Sequence, residues 1–176
     1  SAHIAPGSAV AGEATLIRLA ASLERSSEHP LAAALLTAAR DRKLALSEPS
    51  DFRALPGKGI TGKVEGRAVA LGNAELFRGL RVDLSPLAAE ADALRREGQT
   101  VLFVAVEGRL AGLLAVADPV KPTTPEAIQQ LHADGLRIVM LTGDSRTTAE
   151  AVARTLGIDT VEAEVLPAQK GEVVRR

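Results

Sequence analysis

The chain has 176 residues, a formal net charge of −1 and 46% hydrophobic residues, which is enough for one ordinary domain or two small ones with a buried core. The near-neutral charge gives no electrostatic basis for binding nucleic acid, and the absence of cysteine excludes disulfides and thiolate metal sites. No apolar run reaches the roughly 20 residues of a membrane-spanning helix. Because the first residue is Ser1 and no signal-peptide pattern follows, we expect a cut or processed end.

The first two thirds of the chain mix helical and strand patterns. The predicted elements are helices at 13–24 and 30–42, strands at 52–55, 60–64 and 67–71, a short helix at 73–79, a helix at 85–97, and strands at 101–106 and 110–116. Ser85 is the predicted N-cap of its helix, and Gly98 follows the end of that helix. Glu65-Gly66 and Glu107-Gly108 are predicted hairpin turns.

The pattern changes after Asp118-Pro119, where helices and strands begin to alternate. The predicted elements are helices at 124–134 and 146–156, strands at 137–141 and 160–163, and a last helix from residue 168. Such alternation predicts a parallel, right-handed α/β layer. The predicted fold class is therefore α/β in two parts. Residues 1–117 form an α+β module with an antiparallel sheet flanked by helices, and residues 118–176 form part of a parallel sheet.

A polar segment, Thr142-Gly143-Asp144, lies between a predicted buried strand and a predicted helix. Backbone N–H groups at such a junction favour anions. The Thr142 hydroxyl is a candidate for holding phosphoryl oxygens, and Asp144 is a candidate neighbour of Mg²⁺. The alternative is that both residues simply cap the following helix.

Two further segments carry candidate chemistry. Lys170 follows the last predicted strand, and loops at one edge of a parallel sheet converge, so Lys170 is a candidate cation for the same phosphate; the alternative is a solvated lysine. Gly57-Lys58-Gly59 lies between strands, where glycines permit close approach of a ligand or form a tight turn. Because no helix follows, this segment is neither a dinucleotide-binding fingerprint nor a P-loop.

The third candidate is His29, at the start of a predicted helix. Its imidazole is suited to a hydrogen bond or ring contact with a base, and the alternative is a capping or surface histidine. The three histidines are too dispersed along the chain to predict a zinc site.

These motifs, taken in their order along the chain, carry a family resemblance. They are Ser26-Ser27-Glu28-His29-Pro30-Leu31, Gly57-Lys58-Gly59-Ile60, Gly72-Asn73, Asp118-Pro119-Val120-Lys121, Thr142-Gly143-Asp144 and Leu166-Pro167 with Lys170. Together they resemble a heavy-metal-transporting P-type ATPase, and the Ser-Glu-His-Pro-Leu segment is typical of the copper and zinc/cadmium branch. The resemblance implies an ATP-binding domain inserted into a haloacid-dehalogenase-like phosphorylation domain.

The resemblance also implies roles for individual residues. In the order of the chain they are Glu24 and His29 at the adenine, Gly57, Gly59 and Ile60 along the nucleotide, Gly72 and Asn73 in the nucleotide pocket, Asp118 at the hinge, Thr142, Gly143 and Asp144 facing the phosphate, and Lys170 steadying an acyl phosphate. The implied cofactor is ATP, with Mg²⁺ in the full-length protein. The implied metal cargo is copper(I) first, with zinc, cadmium and cobalt left open.

The chain also departs from the family pattern. It contains neither the Asp-Lys-Thr-Gly-Thr segment with the phosphorylated aspartate nor the Gly-Asp-Gly-x-Asn-Asp Mg²⁺ motif. We therefore expect a monomeric fragment of a cytoplasmic loop that binds ATP or ADP without turnover. Its partners would be the remaining phosphorylation, actuator and membrane domains of a cell-membrane parent. A free-standing phosphatase, for which no Asp-x-Asp pair precedes residue 118, and a nucleotide sensor are the alternatives.

Overall fold

The structure is a computed structural model that describes residues 1–8, 10–27, 30–117 and 120–175. Its contacts divide the chain into two compact units. The first unit contains Ser1–Ala91 and Val101–Val116, and the second contains Asp92–Thr100 and Ala117–Arg176. The sequence assigns residues 92–100 to the first domain instead, and the functional domain boundary near residue 117 stays a prediction. The mixed α/β fold class is confirmed.

The first unit is built on a six-stranded sheet with strand order β1-β6-β5-β4-β3-β2. The strands are β1 (Ala2–Ile4), β2 (Ser50–Leu55), β3 (Gly59–Val64), β4 (Arg67–Gly72), β5 (Thr100–Val106) and β6 (Arg109–Val116). The helices of this part of the chain are α1 (Glu13–Glu24), α2 (Pro30–Asp41), α3 (Ala74–Gly79) and α4 (Ala88–Arg96). Both predicted hairpin turns are confirmed, because Glu65-Gly66 and Glu107-Gly108 have the positive φ angles of type I′ turns.

Apolar side chains cover both faces of this sheet. α1 packs against β1, β3, β4 and β6, and its Leu16, Leu19 and Leu23 are fully buried because they recur on one side of the helix. On the other face, the rings of Phe77 and Phe103 meet edge to face with centroids 6.0 Å apart. The nucleotide candidates of α1, β3 and β4 therefore rest on a well-packed scaffold.

Two local expectations for this part of the chain need correction. Ser85 does not begin an α-helix: Ser85–Leu87 is a 3₁₀ turn, and the Asp83 carboxylate accepts hydrogen bonds from the Ser85 N–H at 2.9 Å and hydroxyl at 2.8 Å. The sequence also does not predict β1. This strand pairs antiparallel with β6 beside Gly112, where a Cβ would lie 2.3 Å from the His3 carbonyl oxygen.

The outer strand β2 is irregular. Its register against β3 shifts between Ser50 and Arg53, and Asp51 in this bulge has φ 53°. The Lys63 ammonium lies 2.8 Å from the Asp51 carboxylate, and its hydrogen bond and charge lower the pKa of Asp51. The bulge therefore places charged groups along this edge.

The second unit is smaller and less densely packed. Its elements besides residues 92–100 are α5 (Thr124–Ala133), β7 (Val139–Leu141), α6 (Arg146–Leu156), β8 (Thr160–Glu162) and α7 (Lys170–Val174), with a 3₁₀ turn at Pro167–Gln169. The prediction of a parallel layer is confirmed, because β7 and β8 pair in parallel with Met140 opposite Val161. The first of these strands is shorter than predicted, and the last helix begins at Lys170 instead of residue 168. Across the described ranges, no helix is both long and apolar enough to cross a membrane.

Candidate functional site

Gly59 and Gly72 are register partners in β3 and β4, and their backbones lie unusually close together. A Cβ at Gly59 would lie 2.2 Å from the Leu71 carbonyl oxygen, and one at Gly72 would lie 2.3 Å from the Lys58 carbonyl oxygen. Gly59 also has φ 146°, which L residues rarely adopt. Both glycines are therefore required by the backbone itself, before any ligand is considered.

The turn between β2 and β3 is fastened to α3 by Asn73. The Asn73 side-chain amide donates to the Gly57 carbonyl at 2.8 Å, and its backbone N–H donates to the Lys58 carbonyl at 2.8 Å. The Asn73 Oδ1 also accepts from the N–H groups of Glu75 and Leu76, so this side chain is the N-cap of α3. Gly57, with φ 72°, is exposed at this turn. Asn73 thus holds the candidate nucleotide turn in place through both its side chain and its backbone.

A charged pair flanks this turn. The Lys58 ammonium lies 2.9 Å from the Glu75 carboxylate, and both side chains are about half exposed. The hydrogen bond from Lys58, reinforced by its charge, lowers the pKa of Glu75. Because the pair is on the surface, we expect a small effect on stability and a cation that remains accessible to an anionic ligand.

Glu24 is a buried carboxylate in the last turn of α1, with 4% of its surface exposed. The C-terminal end of a helix carries partial negative charge, so this is an unfavourable position for an anionic side chain. The preceding residue, Leu23, lies against β3, because its Cδ1 would be 2.9 Å from a Cβ at Gly62. The last turn of α1 therefore combines a side chain that packs against β3 with a buried carboxylate.

Of the three remaining nucleotide candidates, the structure describes only Ile60. Ile60 is 7% exposed and packs in the core between the sheet and α1. His29 and Asp118 lie outside the described residues. Their assignments stay predictions that rest on the sequence.

The phosphate candidates form a hydrogen-bonded loop between β7 and α6. The Thr142 hydroxyl donates to Asp144 Oδ2 at 2.8 Å, and the Asp144 N–H donates to the Thr142 hydroxyl oxygen at 3.1 Å. The N-cap of α6 is Ser145, whose hydroxyl oxygen accepts from the Thr148 N–H at 3.2 Å. The alternative interpretation, that Thr142 and Asp144 cap the helix, is therefore wrong.

The segment leading to Lys170 runs beside this loop. The Val165 N–H donates to the Thr142 carbonyl at 3.1 Å, and the Glu164 N–H donates to the Asp144 carbonyl at 3.0 Å. Gly143 is exposed, and a Cβ on it would have only an ordinary contact, 3.5 Å from the Val165 carbonyl oxygen. Lys170 is exposed at the first position of α7. The backbone thus brings the lysine-bearing segment to Thr142, while no hydrogen bond joins the Lys170 side chain to the described loop.

Sequence reasoning missed a residue that contacts this loop. The Thr100 hydroxyl donates to Asp144 Oδ1 at 3.2 Å, across a separation of 44 positions in the chain. Nothing in the local pattern around Thr100 indicates this contact, because it depends on tertiary structure.

Comparison with known proteins places this geometry in a family. The profile of the haloacid dehalogenase-like hydrolases matches residues 6–176. A copper-transporting P-type ATPase of Rhizobium leguminosarum bv. viciae is 51% identical over 93% of this chain and 19% of its own length. A silver-exporting P-type ATPase of Salmonella typhimurium is 48% identical over 94% of this chain and 20% of its own length. The crystal structure of a zinc-transporting PIB-type ATPase in its E2.Pi state matches 99% of this chain and 27% of its own, with 33% identity and a TM-score of 0.66.

The chain therefore belongs to the haloacid dehalogenase-like hydrolases. Its resemblance to heavy-metal-transporting P-type ATPases is confirmed by these relatives, which do not support the free-standing phosphatase or the nucleotide sensor. The chain spans about a fifth of the length of the curated relatives it matches.

Proposed function

We propose that this chain is the ATP-binding region, with part of the phosphorylation domain, of a membrane P-type ATPase that couples ATP hydrolysis to heavy-metal export. The observation that carries the proposal is 51% identity to a copper-transporting ATPase over 93% of the chain. The same relative makes copper(I) the first choice of cargo. The region would lie on the cytoplasmic side of the cell membrane and work with the remaining phosphorylation, actuator and membrane domains of its parent.

The first unit is the proposed nucleotide site. Glu24 offers a buried carboxylate, which fits the exocyclic amino group of adenine, and the resemblance assigns His29 to the base. The exposed turn at Gly57 lets the ligand approach the backbone, while Asn73 and the pairing of Gly59 with Gly72 keep that turn in place. Ile60 supports the site from the core. Asp118 is assigned to the hinge on the resemblance alone.

The second unit is the proposed phosphate site. The hydroxyl and N–H groups of Thr142, Gly143 and Asp144 are of the kind that bind phosphoryl oxygens, and Lys170 follows in a segment that runs beside Thr142. The Asp144 carboxylate supplies hard oxygens of the kind Mg²⁺ prefers, so it would hold the ion or its water when the nucleotide brings it. These 176 residues include no Asp-Lys-Thr-Gly-Thr segment, so we expect them to bind ATP without forming an acyl phosphate.

The binding proposal is tested by calorimetric titration of the chain with ATP, ADP and AMP. We expect Gly57→Asp to weaken binding about tenfold or more, a loss of about 1.4 kcal/mol, because its carboxylate would occupy and repel the approach to the turn. Glu24→Gln and His29→Gln should weaken the binding of all three nucleotides alike, because ATP, ADP and AMP share the adenine base that these residues are proposed to contact.

The matched control is Gly66→Asp. Gly66 has φ 76°, close to the 72° of Gly57, and nothing lies within 4 Å of a Cβ there. It should bind like the unchanged chain. If Gly57→Asp and Gly66→Asp bind ATP equally well, the assigned pocket is wrong.

The missing nucleophile is tested separately with γ-labelled ATP and acid precipitation. We expect no acid-stable phosphoprotein from the 176 residues. Its appearance would contradict the proposal that the phosphorylated aspartate lies in another part of the parent protein.

The proposed cargo is tested in the full-length protein that contains this segment, where copper(I) should stimulate ATP hydrolysis more than zinc(II). Stronger stimulation by zinc(II) would contradict copper(I) as the transported metal.

A further inference from the structure

The turn at residues 97–100 contacts α6 at two points and the loop before α6 at a third, all within the second unit. Gly98, with φ 79°, packs so closely that a Cβ would lie 3.2 Å from Val152 Cγ2. The buried Thr148 hydroxyl donates to the Gln99 carbonyl at 3.1 Å. The Thr100 hydroxyl then reaches Asp144 Oδ1 at 3.2 Å. The contacts of Gly98 and Gln99 with α6 therefore fix the backbone from which the Thr100 side chain reaches the phosphate-facing loop.

The directions of these hydrogen bonds follow from the groups involved. The Gln99 carbonyl can only accept, so the single hydroxyl proton of Thr148 points to it, and the Ser145 hydroxyl donates to Thr148 Oγ1 at 2.9 Å. In the Asp144 carboxylate, Oδ1 accepts a hydrogen bond from the Thr100 hydroxyl and Oδ2 accepts one from the Thr142 hydroxyl. Each carboxylate oxygen is thus held by a different threonine.

We propose that Thr100 is a positioning residue of the phosphate-facing loop, which it serves by holding the Asp144 carboxylate so that Thr142 keeps one side-chain rotamer. The torsion of a carboxylate about its last bond is broad, so Thr142 alone would leave the Asp144 carboxylate free to turn. The Thr142 hydroxyl would then be held only by the Asp144 N–H, which donates to it at 3.1 Å. The bond from Thr100 removes that freedom.

This inference rests on the proposed function, in which Thr142 faces a phosphoryl group. An arriving phosphoryl oxygen accepts the hydrogen bond that the Thr142 hydroxyl otherwise donates to Asp144 Oδ2. Thr100 then keeps the released carboxylate on its own side of the loop, away from an anion that would repel it. The residue thus acts on phosphate through Asp144 and Thr142 without contacting it.

The positioning role is tested first without any ligand. Thr142 χ1 is measured from methyl three-bond couplings in the 176-residue chain with labelled threonine. We expect a single rotamer in the unchanged chain, averaging in Thr100→Val and in Thr100→Ala, and a return to one rotamer in Thr100→Ser. Thr155→Val is the control, because its hydroxyl donates within α6 to the Ala151 carbonyl at 3.1 Å. If Thr142 χ1 still shows a single rotamer in Thr100→Val or Thr100→Ala, whichever of them folds, the inference is overturned.

The consequence for phosphate is tested by titrating inorganic phosphate and following the amide signals of Gly143 and Asp144. Thr100→Val should weaken the response about three- to tenfold, the range for losing one hydrogen bond, and Thr100→Ser should restore it. Equal phosphate affinity in Thr100→Val and the unchanged chain would contradict the role of Thr100 but not the proposed phosphate site. If the amide signals of the unchanged chain do not shift with phosphate, the proposed phosphate site is contradicted, and the rotamer measurement still decides the role of Thr100.

Discussion

The two units bury apolar side chains to very different degrees. In the first unit, the large side chains below 2% exposure include Phe77, Phe103, Leu16, Leu19 and Leu23. Among the described residues of the second unit, Ile128 is the one large apolar side chain that is buried, and the others are Ala149, Ala151, Ala153 and Ala163. Because alanine buries little area, the second unit gains much less from the hydrophobic effect.

The second unit also leaves large apolar side chains in water. Leu131, Leu136 and Val139 are 40%, 54% and 52% exposed. These side chains therefore add little to the hydrophobic stabilisation of this unit. The difference teaches that the nucleotide candidates lie on a self-sufficient scaffold, whereas the phosphate loop lies on a unit whose local stability is low.

The largest expected effect compares the two cores directly. Phe103→Ala should destabilise the first unit by about 3–5 kcal/mol and Ile128→Ala should destabilise the second by about 2 kcal/mol, because a loosely packed site collapses around the deletion. Urea denaturation with hydrogen exchange resolved by element measures both. Equal protection of the β4 and β7 amides from hydrogen exchange in the unchanged chain would contradict the claim that the second unit is less stable.

The next effect probes the glycine pair of the nucleotide turn. Gly59→Ala should cost about 3 kcal/mol, because its Cβ meets the Leu71 carbonyl oxygen at 2.2 Å and its φ is 146°. Gly66→Ala, where nothing lies within 4 Å, should cost about 1 kcal/mol from its positive φ alone. Chemical denaturation compares them, and similar losses would show that β3 and β4 separate easily.

Asn73 allows stability and binding to be separated. Asn73→Ala removes the N-cap and should cost about 1 kcal/mol. Asn73→Asp keeps the oxygen that accepts from Glu75 and Leu76 but loses the donor to the Gly57 carbonyl. We expect Asn73→Asp to retain its unfolding midpoint and to bind ATP more weakly. A variant with full affinity would show that the turn needs no such fastening.

The smallest effect is a pH dependence confined to the second unit. The Ile138 N–H donates to the Asp159 carboxylate at 2.8 Å, His132 lies 2.9 Å from it, and these contacts, Ile138 first, lower the pKa of Asp159. A lowered folded-state pKa stabilises the unit above the ordinary value of about 4, and this contribution is lost as the pH falls through the folded value. Thermal unfolding followed by NMR signals of β7 and β8 should therefore show a steeper acid loss in the unchanged chain than in Asp159→Asn. If the two chains lose stability equally as the pH falls, Asp159 does not contribute to this pH dependence.

Local patterns predicted those parts of the fold that local chemistry decides. The bounds of α1 and α6 and both Glu-Gly turns agree with the structure, because periodicity, caps and positive φ are local properties. β1 escaped prediction because its three residues form a strand only by pairing with β6, and Gly112 was its one sequence signal. Ser85 was misassigned because Asp83, two residues earlier, accepts the hydrogen bonds at that end.

The candidate site shows the same division. The motif order selected Thr142, Asp144 and Asn73. The sequence also predicted the polar segment between strand and helix at Thr142 and the short helix at Asn73, but not which residues cap the helices. The Thr100 contact was not foreseeable, because it joins positions far apart in the chain. The close approach of Gly59 to Gly72 likewise depends on the β3–β4 register, which the sequence alone leaves unspecified.

The bulge at Asp51 has a consequence for the behaviour of many molecules together. A regular outer strand offers unpaired N–H and C=O groups to another copy and so acts as a template for aggregation. Here β2 is bent by the bulge and carries Asp51 and Arg53, and β1 at the opposite edge is only three residues long. Neither edge of this sheet suits the addition of a further strand, so the first unit should resist fibril formation through these edges, and deleting Asp51 should weaken that resistance.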